Sequence, residues 1–159
     1  MYGDAAVPPL LAALKSDDPA VREHAAYLLG ARRDRRTIED LVLVTCDEVP
    51  RVRYEAATAL LEMKDPRAFD VLVQGLDDPD ARLRAKCLEV LAEATGQRFG
   101  FEADGDPADR EAAVRRWRAW LAQRETGFDP ACDVAPVGDP IEASERSRER
   151  ARPKDPLSR

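Results

Sequence analysis

Apolar residues recur at helical spacing from about residue 5 to residue 124 of this 159-residue chain. Leu10, Leu41 and Leu72 follow one another at intervals of 31 residues. Small and apolar residues around them are three or four positions apart, which places them on one face of an α-helix. No segment has the two-residue alternation of a strand, so only helices are predicted. They span about 5–15, 19–31, 37–47, 50–63, 66–75, 79–95 and 107–124.

The second half of each repeated unit begins near a proline. Pro19, Pro50 and Pro79 are separated by 31 and then 29 residues, and we interpret the shorter interval as a shorter turn in the third unit. An arginine and an alanine follow each proline at matching positions, namely Arg22 and Ala25, Arg53 and Ala56, and Arg82 and Ala85. The chain is therefore predicted to hold three helix pairs, with units of about 5–36, 37–65 and 66–98.

Aspartate-proline steps are predicted to begin helices. An aspartate side chain accepts from unpaired amides of the first turn, and proline is well tolerated at the first helical position. The steps are Asp18-Pro19, Asp65-Pro66, Asp78-Pro79 and Asp106-Pro107. Val49 precedes Pro50 in the middle unit, which favours helix punctuation over a set of catalytic carboxylates.

The segments "AVPPLLAALKSDDPAVREHAAYLLG" and "VPRVRYEAATALLEMKDPRAFDVLVQGLDDPDARLRAKCLEVL" carry a family likeness. The pattern resembles the HEAT-repeat family, particularly the bacterial HEAT-like repeats of the phycobilisome-lyase type. The resemblance implies an all-α fold, a short right-handed α-solenoid of three helix pairs plus a C-terminal capping helix. It also implies ion pairs of Asp17 or Asp18 with Arg22, and of Asp77 or Asp78 with Arg82.

The C-terminal part divides into a helix and a tail. Trp117, Trp120 and Leu121 lie at helical spacing within 107–124, which predicts an amphipathic helix that covers the end of the stack. The repeat domain is accordingly predicted to span 1–126. From about residue 127 the apolar periodicity stops, and 127–159 is predicted to be a disordered, charged tail.

Composition limits the classes of function. The net charge of −6 does not favour a general nucleic-acid binder. Cys46, Cys87 and Cys132 form no CxxC pair, so neither a disulfide framework nor a cysteine zinc site is predicted. No apolar run approaches the length of a membrane span. We expect a cytoplasmic protein without a bound cofactor or metal, and the resemblance implies a bacterial one.

The sequence favours a non-catalytic protein-protein interaction scaffold. His24 is the only histidine, and no nucleophile or phosphate-binding loop accompanies it by local motif. The resemblance implies a concave surface lined by the second helix of each unit, where a protein partner is expected to bind. The candidate contact residues are Glu23, His24, Tyr27, Tyr54, Glu55, Thr58 and Arg84.

Other interpretations remain open at this point. Two arginine clusters suggest nucleic-acid binding, and they consist of Arg32, Arg33, Arg35 and Arg36 and of Arg115, Arg116 and Arg118. The resemblance also allows an accessory subunit similar to phycobilin lyases. The first unit lacks an obvious polar cap, which suggests a homodimer through the N-terminal edge. Acidic residues at 102–109 lack the order of a calcium-binding EF-hand loop.

Overall fold

The structure is a computed structural model, and it describes residues 4–124. Across these residues it contains seven α-helices and no strand, which confirms the predicted all-α class. Each helix end lies within three residues of its predicted position. The helices are α1 (Val7–Ala13), α2 (Pro19–Arg32), α3 (Ile38–Val44), α4 (Pro50–Glu62), α5 (Arg67–Gly75), α6 (Ala81–Thr95) and α7 (Pro107–Ala122). Short 3-10 turns at Asp4–Ala6 and Arg35–Thr37 precede α1 and α3.

The helices form three consecutive pairs, as an α-solenoid requires. Each first helix packs on its own second helix, and the second helices pack on one another in the order α2, α4, α6. Aliphatic side chains fill the space between the helices, and Leu29, Leu41, Leu60, Leu72 and Leu91 are fully buried. Each pair buries its apolar faces against the next, so the three units share one continuous stack.

Small residues set the distance between adjacent second helices. Gly30 of α2 lies against Ala59 of α4, and a Cβ atom at Gly30 would stand 2.8 Å from the Ala59 Cα. Gly75 of α5 makes room for Cys87 and for the Tyr54 ring in the same way. The sequence pattern suggests that Gly75 merely weakens its helix, whereas in the structure it allows close packing.

The third unit keeps the register of the first two. α6 begins at Ala81, and its N-cap is Asp80, whose side chain accepts from the Arg82 amide. Pro79 therefore precedes the cap, and the interval of 31 residues continues from Pro50 to Ala81. The interpretation of a shorter turn, with Pro79 in the place of Pro50, is therefore wrong, and so is the assignment of Arg82 as the third landmark arginine. Arg84 takes that place.

The three landmark arginines perform the same task in their units. Each guanidinium donates to two backbone carbonyls of the turn that precedes its own helix. Such bonds satisfy carbonyls left without partners where the first helix ends. The pairs of acceptors are Ser16 and Asp17 for Arg22, Asp47 and Glu48 for Arg53, and Asp78 and Pro79 for Arg84.

The ion pairs that tie the units together differ from those implied by the family resemblance. Arg22 pairs with Asp47 of the second unit, across 25 residues, and not with the side chain of Asp17 or Asp18. Asp18 instead caps α2 by accepting from Ala20. Arg82 forms no pair with Asp77 or Asp78, because its helix starts two residues later than predicted.

Helix α7 covers the C-terminal side of the stack by packing on α5. Trp117 is fully buried, and its ring meets Phe99 edge to face at 4.8 Å between centroids. Phe101 is also buried, so the linker between α6 and α7, residues 96–106, lies against the repeats. The capping-helix prediction is thus confirmed by its contacts, while the predicted tail, 127–159, lies outside the described residues.

Two further observations concern the described residues. Cys87 is a buried free thiol. Burial raises the pKa of the Cys87 thiol to about 12. Between residues 4 and 124 no helix combines the length and the apolar character needed to cross a membrane.

Candidate functional site: the second-helix face

The exposed sides of α2, α4 and α6 form one surface, here called the second-helix face. Because the register is constant at 31 residues, side chains on this face line up in rows from unit to unit. One row of corresponding positions contains His24, the buried Glu55 and Lys86, and a second contains Tyr27, the half-buried Thr58 and Glu89. The face therefore consists of rows of corresponding positions, most of them polar, on tightly packed helices.

Three of the predicted contact residues are accessible together at the first unit. Tyr27 is 56% exposed, and its ring stacks on the exposed His24 ring at 6.1 Å between centroids. Glu23 lies beside them and pairs with Arg51 of the next unit at 3.2 Å. This arrangement offers an aromatic surface next to a carboxylate, which suits a ligand with apolar and cationic parts.

Tyr54 is placed differently from its prediction. Its side chain is buried, and its hydroxyl donates to Asp78 Oδ2 at 2.7 Å. Burial, reinforced by the hydrogen bond to the Asp78 carboxylate, raises the pKa of Tyr54. The prediction that Tyr54 anchors a partner is wrong, because this ring fills the space beside Gly75 between the second and third units.

The remaining predicted contacts are mostly engaged within the fold. Glu55 is buried and forms an ion pair with Lys86 of the third unit. Arg84 is buried and donates to the Ala103 carbonyl of the linker at 2.6 Å and 2.9 Å. Thr58 is half-buried and donates to the Tyr54 carbonyl at 2.8 Å. Glu55 and Arg84 are therefore structural, contrary to the prediction.

An apolar groove adjoins His24 and was not predicted as a site. It has a volume of about 280 Å³. Its lining comes from α1 and from the side of α2 that faces away from α4, and consists of Leu10, Ala13, Ala20, Val21, His24, Ala25 and Leu28. One feature of the sequence corresponds to this groove. Val21 and Leu28 are apolar and stand 31 residues before Val52 and Ala59, which the structure buries.

The arginine clusters are largely neutralised by carboxylates. Arg33 pairs with Glu62, and Arg36 pairs with Asp34. In α7, Arg115 pairs with Glu111, and Arg118 pairs with Asp77. Arg116 instead donates to the Phe99 carbonyl. These pairs reduce the positive potential that phosphate binding requires.

The described residues do not form a metal centre. Among residues 4–124, no group of three or more histidine, cysteine, aspartate or glutamate side chains is placed to hold an ion. In the acidic linker, Asp106 is used to cap α7, and Arg110 and Arg116 line the same hollow as Glu102. Glu23, the carboxylate next to His24 in the sequence, is occupied by Arg51.

Comparison with known families agrees with the helix pairs and their constant register. The family model for HEAT repeats matches residues 7–92, which includes α1 to most of α6. The chain therefore belongs to the HEAT-repeat family. The phycobilisome-lyase type is not among the findings, so the resemblance holds at the level of the repeat family.

Several curated proteins similar to this chain are named deoxyhypusine hydroxylase. The chain is 34% identical over 105 residues to deoxyhypusine hydroxylase-B of Oryza sativa subsp. japonica, covering 62% of this chain and 35% of the relative. It is 33% identical over 142 residues to deoxyhypusine hydroxylase of Homo sapiens, covering 72% and 47%. For the Rattus norvegicus enzyme the identity is 35% over 118 residues, covering 66% and 39%. The chain thus spans between about a third and a half of these relatives.

These relatives correct the expected function. The sequence favours a non-catalytic bacterial scaffold, whereas the matched relatives are eukaryotic proteins that carry the name of an enzyme. The prediction of a non-catalytic protein is therefore contradicted. The prediction failed because it was based on the absence of a local motif around His24. The similarity to the relatives extends over several repeats and is not concentrated in such a motif.

Proposed function

We propose that this chain is a substrate-holding part of a hydroxylase-type enzyme that acts on deoxyhypusine or a chemically related group. The observation that carries the proposal is the set of six curated relatives, all named deoxyhypusine hydroxylase. Their alignments cover 62–75% of this chain. This coverage exceeds a single helix pair, so the likeness extends over several units.

The proposal assigns the chain a part in the enzyme because its residues do not fit a redox metal. Oxygen chemistry in proteins generally needs a cofactor such as haem, flavin, copper or non-haem iron. Non-haem iron sites commonly use two histidines and a carboxylate, and this chain contains one histidine. We therefore assign the oxidising centre to another part of the enzyme, and the holding of substrate to the second-helix face.

The second-helix face has the features that a substrate surface needs. Tyr27 and His24 supply exposed rings, and large aromatic groups contribute strongly to binding at low entropic cost. Glu23 supplies negative charge, although its carboxylate also forms an ion pair with Arg51, with 3.2 Å between Oε2 and the Arg51 Nε. The helices beneath are fixed by buried contacts between units, so the surface is preorganised.

The experiment measures binding of a short peptide that contains deoxyhypusine to the full-length chain. We expect saturable binding that Tyr27→Ala weakens about tenfold, since aromatic contacts contribute more than about 1 kcal/mol at binding hot spots. Leu43→Ala is the matched control, because Leu43 is also exposed but belongs to α3. The same peptide with lysine in place of deoxyhypusine tests the specificity.

Two results would contradict the proposal. Equal binding of the deoxyhypusine and lysine peptides would remove the substrate assignment. Hydroxylation of the peptide by this chain alone, supplied with ferrous iron, dioxygen and a reductant, would show that the oxidising centre is built from this chain.

A further inference from the structure

The contact between Glu23 of α2 and Arg51 of α4 is loose compared with the Arg22–Asp47 pair, which joins the same two units. It consists of one approach, 3.2 Å between Glu23 Oε2 and Arg51 Nε, whereas Arg22 holds Asp47 at two points, 2.7 Å and 2.9 Å. The Arg51 side chain is 46% exposed and that of Glu23 is 31% exposed, against 10% for both members of the other pair. Ion pairs in contact with water contribute little to stability. The Glu23–Arg51 pair therefore opens at little cost.

The repeat framework does not require this pair. In the register of 31 residues, Tyr54 corresponds to Glu23 and Arg82 corresponds to Arg51. Tyr54 is buried and donates to Asp78, so the boundary between the second and third units replaces the ion pair with a different contact. The Glu23–Arg51 pair thus belongs to the exposed surface of the first two units and not to the contacts that recur along the stack.

Glu23 lies beside aromatic rings that suit a cation. Tyr27 is four residues further along α2, which places its Cβ atom about 5–6 Å from that of Glu23. The Tyr27 ring is exposed and stacks on His24 with 23° between the ring planes. Within residues 4–124, no guanidinium or ammonium group lies over the Tyr27 ring. Arg51 therefore neutralises the carboxylate and leaves the adjacent ring available for a cation–π contact.

We propose that Glu23 and Tyr27 bind an ammonium group of the substrate, and that Arg51 occupies the Glu23 carboxylate as an internal competitor while the substrate is absent. The identity of the ligand rests on the proposed function, since the side chain of deoxyhypusine carries two amino groups that are protonated at neutral pH. A substrate ammonium replaces Arg51 at Glu23 and gains the Tyr27 ring in addition. A cation that matches the charge alone has no such advantage over Arg51, so the pair selects for amines that also contact the ring.

The competition raises the apparent dissociation constant by a limited factor. An exposed ion pair is favoured over its open state by about onefold to fivefold. Binding that requires the open state is weakened by the inverse of its fraction, so removal of Arg51 should tighten binding about twofold to sixfold. The removal also takes one positive charge from the protein, and a control has to separate the two effects.

The test measures the affinity of the deoxyhypusine peptide for the full-length chain and four variants by titration calorimetry. Arg51→Gln should tighten binding by the factor given above, and Glu23→Gln should weaken it about threefold or more. In the double variant, Arg51→Gln should add nothing, because the carboxylate for which Arg51 competes is gone. Arg115→Gln is the matched control. It removes the same charge and breaks an exposed ion pair with Glu111, but on α7, and it should leave the affinity unchanged.

A second arm tests the site without the peptide, with the four-carbon diamine putrescine as the probe. The Nε–H signal of Arg51 and the amide signal of Tyr27 are followed by NMR, and sodium chloride at equal ionic strength controls for screening. Putrescine should move the Arg51 signal towards its position in Glu23→Gln and should shift the Tyr27 amide. Sodium chloride should leave the Tyr27 amide unchanged.

The outcomes separate this inference from the proposed function. Unchanged peptide affinity in Arg51→Gln, or an equal gain in Arg115→Gln, would overturn the inference and leave the proposed function standing. A gain from Arg51→Gln that persists in the Glu23→Gln background would show that Arg51 does not compete for that carboxylate. Failure of all five proteins to bind the peptide would contradict the proposed function, and the putrescine titration would then decide the inference. An Arg51 signal that responds equally to putrescine and to sodium chloride would overturn it.

Discussion

Arg22 of the first unit holds Asp47 of the second in a two-point ion pair. Arg22 Nε lies 2.7 Å from Asp47 Oδ2, and Nη2 lies 2.9 Å from Oδ1. Both side chains are about 10% exposed, and Asp47 also accepts from the Val49 amide at 2.9 Å. A single carboxylate thus receives three hydrogen bonds and joins the first unit to the start of α4.

Arg22→Ala is expected to lower the free energy of unfolding by about 2 kcal/mol or more, because it leaves a mostly buried carboxylate without its cation. Urea unfolding followed by circular dichroism measures the change. Arg53→Ala is the matched control, because the hydrogen bonds of Arg53 go to two backbone carbonyls of the turn. It should cost about 1 kcal/mol. Equal costs for the two variants would show that the link between units contributes little.

The cost of Arg22→Ala should depend on pH. Burial acts to raise the pKa of Asp47, but the hydrogen bonds from Arg22 and from the Val49 amide hold the pKa below its ordinary value of 3.8. The ionised carboxylate therefore stabilises the folded state above about pH 4, and this contribution is lost as the pH falls further. Without Arg22, the pKa of Asp47 should rise, because the largest group of interactions that opposes the effect of burial is gone and the Val49 amide remains. Acid then protonates the carboxylate at a higher pH and removes the penalty.

The difference in unfolding free energy between the wild type and Arg22→Ala should therefore shrink as the pH is lowered from 7 to about 3. Urea titrations at several pH values measure it. A difference that is constant over this range would mean that the charge of Asp47 is not what Arg22 stabilises.

Tyr54→Phe should be destabilising at neutral pH and less so in alkali. The Asp78 carboxylate loses the Tyr54 hydroxyl at neutral pH, which should cost about 1.5 kcal/mol or more. Burial, together with the hydrogen bond to Asp78, raises the pKa of folded Tyr54 above its ordinary value of 10.0. The wild type therefore keeps this contribution below pH 10 and loses it as the pH rises further.

Unfolding at pH 7 and at about pH 11 tests this expectation, with Tyr27→Phe as the matched control, since Tyr27 is exposed. The difference in unfolding free energy between Tyr54→Phe and the wild type should become smaller in alkali. Tyr27→Phe should have the same unfolding free energy as the wild type at both pH values. A gap that widens above pH 10 would contradict the buried hydroxyl.

Gly75→Ala is expected to destabilise the protein by about 1–2 kcal/mol, although alanine favours a helix over glycine by about 1 kcal/mol. The added Cβ atom would meet the Cys87 sulfur and would stand 2.9 Å from Tyr54 Cε1. Adding Cys87→Ala should restore part of the loss, because it removes the sulfur. Gly30→Ala provides the comparison, since its clash is partly with the Ala59 backbone and no side-chain change relieves it. Stabilisation by Gly75→Ala would show that this contact is loose.

Local patterns were sufficient to predict the helices, and they failed where neighbouring units decide the outcome. Helical periodicity, and the Asp-Pro starts at Asp18 and Asp106, act within one or two turns, and both aspartates do cap their helices. Asp78-Pro79 is the same dipeptide, but it does not begin its helix. Proline is compatible with the first helical position and also with the residue before the N-cap, so the sequence alone does not distinguish the two. Tyr54 and the Asp80 amide both donate to the Asp78 carboxylate, and this contact between units sets the later start.

The candidate site shows the same limit. Tyr27 and Tyr54 both follow a landmark arginine on a second helix, and local spacing cannot tell which ring is covered. Tyr54 is covered because Gly75 of the next unit leaves space for it, whereas no described helix lies over Tyr27. The similarity to deoxyhypusine hydroxylases could not be predicted from local patterns for a different reason, since it extends over several units and does not consist of a catalytic motif.

The most direct measurement of the proposed function maps where deoxyhypusine binds. Amide chemical shifts of the full-length chain, recorded during titration with the deoxyhypusine peptide, would locate the contact surface. We predict that the largest changes occur on the second-helix face, around Tyr27 and His24 and extending to Thr58, with little change in α3 and α5. Changes centred on α3 and α5, or none at saturating peptide, would contradict the assignment of this face as the surface that holds the substrate.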